Sequence, residues 1–374
     1  MTITILCAGA LARPGTDADA GSTSTMQAPL PPEISDGTVA RTLLRARVVS
    51  RTRQPGLVPE ELPEEAWLRA RFGLEGAVAA CALPPGDPHA PDVLVRPVHL
   101  HLGLDHLVLA PPAAVALARA EADALAARAN ELIGEDGLAL RVVQPDAWRL
   151  EAPSPAAQAD LAAIAALLAR SARMASGRSI DVYEPQGEAA RRWRQLNNLV
   201  QMGWFEHAVN LAREAEGRLP VSGLWLEGGV RSVARRPFAD VRATDPAVAG
   251  LALRAGVPSR LIAAGDEAAM DPSAWIEAAG PSRGEAVLLA PGFWQQAVGE
   301  GDPAAWTQAW QRFERWFAAL AHARPAIAED SLHWVLTGER STVVLASTRG
   351  DRFRPWRRVQ LATLVRDAAR DASA

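Results

Sequence analysis

Lysine is missing from this chain of 374 residues: all 39 residues of the Lys+Arg class are arginine. That excludes Schiff-base chemistry, a lysine general base and the lysine of a Walker-type phosphate loop, because a guanidinium stays protonated and can only clamp, pair or stack. Tyrosine occurs once, at Tyr183, against twelve tryptophans, so a tyrosine acid or nucleophile has a single candidate. The two cysteines, Cys7 and Cys81, are too few for a disulfide framework and lack metal-site spacing, which fits a reducing cytoplasm. Neither charge dominates: 43 acidic residues against 39 basic ones leave a net of -4, with no bulk attraction for nucleic acid or an anionic membrane. Long apolar runs are also lacking. The N-terminal run from Ile3 to Ala12 has no cationic segment before it and is far short of a membrane span, so Thr2–Cys7 reads as a buried first strand rather than a secretory signal.

What is present is an α/β pattern. After the first strand, residues 9–36 are rich in Gly, Ala, Pro, Ser and Thr and read as a long loop, followed by helical stretches at 37–52 and 60–72. Between 91 and 171 the order is β-β-α-β-β-α: VLVRPVHLHL and DHLVLA around Gly103, a helix over 112–132, strands GLALRVV and AWRLEA, and a helix over 156–171. From 188 onward helices and strands alternate: a helix at 188–216, strand LWLEGG, a helix at 246–255, a strand at 260–264, a helix near 271–278, strand EAVLLAPG, a helix at 303–321, and paired strands HWVLTG and STVVLAS. This predicts an α/β fold with a partly parallel mixed sheet covered by helices, joined by the first strand, and an inserted α+β (ββαββα) subdomain. The expected divisions are 1–90 as N-terminal strand, loop and helices joining the core, 91–175 as the insertion, and 176–374 as the α/β core.

Four groups of residues invite a chemical reading. His99 and His101 share a face of one strand, with Asp105 and His106 near the hairpin; they are either weak metal candidates or the polar face of that hairpin. On the 188–216 helix, Trp193, Leu196, Val200, Trp204, His207 and Leu211 fall on one stripe, with Asn197 and Gln201 along one edge. This is either a core helix with a satisfied His207, or a polar pocket made by Asn198, Gln201, His207, Asn210, Arg213 and Glu214, with His207 as the best acid/base candidate. Gly228-Gly229, read as lying just beyond a strand, is either a ligand loop or a tight turn. Near the C-terminus Arg349, Arg352, Arg354, Arg357 and Arg358 surround Trp356 against Asp351; they can bind a phosphate or an acidic partner, or pair with acidic neighbours in solvent. By contrast, Trp306, Trp310, Phe313, Phe317 and Leu320 recur at helical spacing and read as core.

RPVHLHLGLDHLVL with EADALAARAN, GEDGLAL and AWRL, then WRQLNNLVQM with HAVNLAREAEGRLPVSGLWLEGG, and finally DRFRPWRRVQL resemble the RpfE-type regulatory protein family of proteobacteria. Its members are often labelled cofactor-independent phosphoglycerate mutases. The resemblance implies a regulatory protein and a core of alkaline-phosphatase-like architecture. Leu199 and Ser222 depart from the family pattern, which has Glu and Asn there. A two-metal mutase of that architecture needs Asp and His ligands at strand ends and a Ser or Thr to carry the phosphoryl group. Here the first strand ends Cys7-Ala8-Gly9, the later ones Ala290-Pro291-Gly292 and Thr337-Gly338-Glu339, and the lone Asp-His pair is Asp105-His106. The histidine-dependent Arg-His-Gly signature is missing as well.

The first expectation is therefore a non-catalytic or regulatory cytoplasmic protein that takes a small anionic ligand or protein partner through the 188–216 helix, Gly228-Gly229 and Arg357 or Arg358. No metal, cofactor, nucleic acid or membrane is expected. The alternatives are a phosphoglycerate mutase-like or phosphate-ester hydrolase activity with a non-standard site, using His207 and arginine clamps, and a structural scaffold.

Overall fold

The computed structural model describes residues 2–15, 30–56, 58–103, 106–263, 270–276, 286–323, 331–354 and 356–373; the side chains of Glu33, Arg349, Arg352 and Ser373, residue Asp105 and much of the expected 9–36 loop lie outside that set. The chain divides into two units, Met1–Trp67 with Arg236–Ala374, and Leu68–Arg235.

The first unit is built on a seven-stranded mixed sheet in the order β11-β10-β12-β1-β13-β14-β2. Its strands are β1 (Thr2–Cys7), β2 (Arg47–Arg53), β10 (Asp240–Ala243), β11 (Ser259–Leu261), β12 (Ala286–Ala290), β13 (Ser331–Thr337) and β14 (Ser341–Ser347). The pairs β1–β12, β1–β13, β10–β11 and β10–β12 run parallel; β13–β14 and β14–β2 run antiparallel. A parallel strand covered on both faces is a continuous apolar run rather than an alternating one. TITILC fits this: Ile3 through Cys7 are buried, Thr4 included. The helix Pro303–Ala323 turns Trp306, Trp310, Phe313, Phe317 and Leu320 inward, as its spacing predicts, and Trp316 with them. The expected helix at 37–52 stops at Leu44, and Arg47–Arg53 is strand β2 instead. Its β-branched Val48, Val49 and Thr52 favour an extended backbone, and β14 supplies the ladder.

The second unit holds a five-stranded antiparallel sheet, β3-β9-β4-β8-β7, and a hairpin, β5-β6. The strands are β3 (Leu74–Gly76), β4 (Asp92–Val98), β5 (Leu100–Leu102), β6 (Leu107–Leu109), β7 (Ala139–Gln144), β8 (Ala147–Glu151) and β9 (Gly223–Val233). Helices Arg119–Ile133, Gln158–Ala165 and Glu188–Phe205 contribute to one apolar core with Val93, Val95, Trp148, Leu150, Leu224 and Leu226. The insertion is therefore larger than the expected 91–175. Strand β9 pairs with β4 from Asp92↔Val230 to Val98↔Gly223, so the 188–216 segment belongs to this unit and not to a 176–374 core. No described helix is long and apolar enough to cross a membrane.

Candidate functional site

In open α/β sheets ligands bind outside the carboxyl ends of the parallel strands. In the first unit, among the described residues, the carboxyl end of β1 is filled with core. The chain leaves β1 through Gly9, held at φ +80°, a left-handed conformation that favours glycine. Cys7, Ala8, Ala10, Leu11 and Ala12 are all buried, and burial pushes the Cys7 thiol well up. Gly9 N–H donates to Thr337 Oγ1 at 2.8 Å, and that hydroxyl donates to Glu64 Oε2 at 3.2 Å. The Trp306 indole donates to Gly9 O at 3.2 Å and the Trp310 indole to Ala10 O at 3.1 Å. At the end of β10, Asp245 accepts from Ala247 N at 2.8 Å and caps the helix Pro246–Arg254. Among the described residues no group of three or more His, Cys, Asp or Glu is placed to hold a metal. The donors among the described residues do not fit a two-metal phosphoryl-transfer centre, whose ions need several shared carboxylates and histidines.

The expected polar pocket on 188–216 does not assemble, because the helix breaks. Glu188–Phe205 ends, and a second helix, Ala208–Ala215, starts with His207 as its N-cap, Nδ1 accepting from Val209 N at 3.2 Å. The break resets the helical phase, so Leu211 is 52% exposed instead of lying on the buried stripe. Asn210 is sealed in: its amide donates to Trp204 O and Val221 O and accepts from Val221 N, each at 2.8 Å. Arg213 is equally buried, donating to Leu219 O at 2.7 Å, to Glu121 at 2.9 Å and to Val115 O. Asn198 and Glu214 are exposed, while Gln201 is half-buried against Gly223. His207, Asn210 and Gln201 thus serve the backbone or the surface and do not converge. Of the positions that depart from the family pattern, Leu199 is at the surface and Ser222 Oγ accepts from Leu100 N at 2.7 Å.

Gly228 and Gly229 are not a loop beyond a strand. They lie inside β9, at the irregularity opposite Leu94 and Val95, with Gly228 at φ +108°. A Cβ on Gly229 would sit 2.6 Å from the Ala165 Cβ, so the glycine lets the helix Gln158–Ala165 pack directly on the strand. Gly229→Ala is expected to destabilise the protein by about 1–3 kcal/mol through overpacking, measured by denaturant unfolding. A neutral result would place that helix elsewhere.

His99 accepts or donates through Nδ1 to Pro220 O at 2.8 Å and lies with its ring stacked on His101, centroids 6.0 Å apart. Burial, with the His101 and Arg213 charges, lowers the His99 pKa against the Pro220 hydrogen bond. Asp105, the third residue of the weak metal reading, lies outside the described residues.

The C-terminal arginines are organised by one carboxylate. Asp351 is buried and accepts from Thr348 N at 2.9 Å, Thr348 Oγ1 at 3.1 Å, Arg354 Nη1 at 3.2 Å and Arg357 Nη1 at 2.6 Å. Burial alone would raise its pKa, but these hydrogen bonds and guanidinium charges outweigh it and hold the carboxyl below the ordinary value of 3.8. The stabilisation this group contributes is complete above the ordinary carboxylate range and is lost as pH falls through its lower folded-state value. Acid titration followed by amide exchange is expected to loosen residues 348–354 only below that range, and Asp351→Asn to loosen them at neutral pH. Unchanged protection in the variant would contradict the assignment. Arg358 is exposed and Arg357 half-buried.

An open cavity exists elsewhere, within the second unit. It has a volume of about 610 Å³ and is walled by Asp87, His89 and Pro91, by Asp92 and the β8 residues Arg149 and Glu151, and by Gln158, Ala159 and Ala162 of the next helix. At its floor Arg149 pairs with Asp92 and donates to Pro84 O, while Asp92 also accepts from Gly86 N at 3.3 Å. A Cβ on Gly86 would collide with the Arg149 guanidinium and the Asp92 carboxylate, so the pair lies directly against this glycine. Glu151 is bridged from outside by Arg141 at 2.6 Å and lies 3.9 Å from Arg149 Nε. The sequence reading missed this site. The usable cue was the AWRLE alternation, which puts Arg149 and Glu151 on one face of a strand.

No protein-family model matches the chain, and no curated protein matches it. Among solved structures, the PH0037 protein from Pyrococcus horikoshii is similar over 99% of this chain and 95% of its own, with a TM-score of 0.54 and 11% identity. The cofactor-independent phosphoglycerate mutase from Thermoplasma acidophilum DSM 1728 aligns over 93% of this chain and 90% of its own, with a TM-score of 0.36 and 13% identity. The first match shows a shared fold: mixed α/β, with a mainly parallel central sheet flanked by helices.

Proposed function

We propose that this chain is a binding protein and not an enzyme, with its small-molecule seat in the cavity of the inserted unit. The observation that carries the reading is the sealed strand edge: the indoles of Trp306 and Trp310 close on the backbone of residues 9 and 10, where an α/β enzyme would keep its substrate. The resemblance to RpfE-type regulators supports a regulatory use. A half-enclosed cavity of this size with a few polar groups is the ordinary form of a small-molecule site.

The walls argue against the anionic ligand suggested by the sequence. Three carboxylates, Asp87, Asp92 and Glu151, line the cavity with one guanidinium, Arg149, which pairs with Asp92, while the Arg141 that bridges Glu151 is not part of the lining, so the lining itself carries more negative than positive charge. Pro91, Ala159 and Ala162 supply apolar surface. The favoured ligand is a small molecule with an apolar body and a positively charged or hydrogen-donating end. Titration with phenethylamine, phenethyl alcohol and 3-phenylpropionate tests this on one phenethyl group carrying three different head groups. The amine is expected to bind saturably, to weaken about fivefold in Glu151→Gln, and to be excluded by Ala162→Trp. Preference for the carboxylate, or amine binding unaffected by Ala162→Trp, would overturn it.

A further inference from the structure

The basic turn near the C-terminus belongs to the first unit, and the cavity to the second. Phe353 is 69% and Trp356 74% exposed, three positions apart in the sequence. Together they leave aromatic surface in water beside a cluster of guanidinium groups. The buried Asp351 ties Thr348, Arg354 and Arg357 together. Arg45 donates to Arg357 O at 2.9 Å, and Val359 N donates to Leu44 O at 3.0 Å, so the start of β2 runs beside it. Arg45, Arg354 and Arg357 are therefore held together around Asp351, and Arg358, next in the chain, is exposed. Farther along β2 the balance changes, since Arg51 pairs with Asp367 at 3.1 Å and Arg53 approaches Asp371 at 4.0 Å.

We propose that this turn docks the protein peripherally on an anionic lipid bilayer, with Trp356 and Phe353 entering the interface and the arginines pairing with headgroup phosphates. Trp and Phe are at home at the boundary of headgroups and acyl chains, and guanidinium groups bind phosphate bidentately. An interfacial anchor needs apolar side chains and flanking cations together, which is what this turn presents. A single-stranded nucleic acid would instead be taken by successive stacking platforms along a basic groove. The whole-chain charge of -4 predicts no such affinity, so binding must be local and oriented.

The full chain is mixed with vesicles of phosphatidylcholine alone and of phosphatidylcholine with phosphatidylglycerol, then sedimented. Binding is expected only to the anionic vesicles and to fall as salt rises. Trp356→Ala is expected to weaken it about tenfold, and Arg358→Gln, which leaves the Asp351 pairs intact, about fivefold. These side chains are at the surface, so an unchanged unfolding midpoint separates lost binding from lost fold. Binding that ignores lipid charge, variants that sediment like the wild type, or affinity for an oligonucleotide or inorganic phosphate without vesicle binding would each overturn the proposal. The result is independent of the amine titration, which reads the cavity in the other unit.

Discussion

Trp310→Ala is expected to lower the stability of the first unit by about 3–5 kcal/mol, the range for truncating a fully buried tryptophan. Trp310 is fully buried, packed edge-on against Trp294 with centroids 4.9 Å apart, and close to Trp306 and Phe313. Its indole also donates to Ala10 O at 3.1 Å, so truncation empties an indole-sized volume and orphans a buried carbonyl. Because the chain holds two units, the quantity to measure is the denaturant transition of the first one, followed by a probe in the 303–323 helix. A loss below about 1 kcal/mol would show that the strand edge is not packed as described.

Asp92→Ala is expected to cost a similar amount, about 3–5 kcal/mol, because it strands the buried Arg149 charge. The pair itself is not a large source of stability, since its Coulomb attraction is offset by the cost of taking both ions out of water. The double replacement Asp92→Leu with Arg149→Met is therefore expected to recover most of the loss. Equilibrium unfolding of the single and double variants decides between this account and one in which the pair is solvated. If the single variant is neutral, the cavity floor is wet and Asp92 is not spent on Arg149. The double variant also has a binding consequence: with the floor apolar and Asp87 and Glu151 retained, the amine should still bind.

Where a segment's surroundings are uniform, the sequence announced its structure. Thr2–Cys7 is read as a strand because it is buried on both faces, and Trp306 to Leu320 as core because a helix repeats every 3.6 residues. Strand β2 escaped because every residue of RVVSRTR is exposed, which erases the alternation that marks a half-buried strand. The limits of the insertion escaped because they are set by pairing of β9 with β4, residues more than a hundred positions apart. On 188–216 the core stripe through Trp204 was legible, whereas the break at Glu206-His207 was not, and extrapolating across it misplaced Leu211. The cavity left no motif beyond the alternation of Arg149 and Glu151: its polar groups come from a proline-rich loop, two strands and one helix, and no spacing links the rest. The arginines around Trp356 were visible as a charge run, but the role of Asp351 in fixing them needed the fold.

Turnover is the most direct test of the central claim that this α/β frame binds and does not catalyse. The purified full chain is assayed with phosphoglycerate and with a generic phosphomonoester in manganese buffer, beside His207→Ala. The sealed strand edge and the capping role of His207 predict no rate above the uncatalysed background for either protein. A rate above background that His207→Ala abolishes would contradict the account.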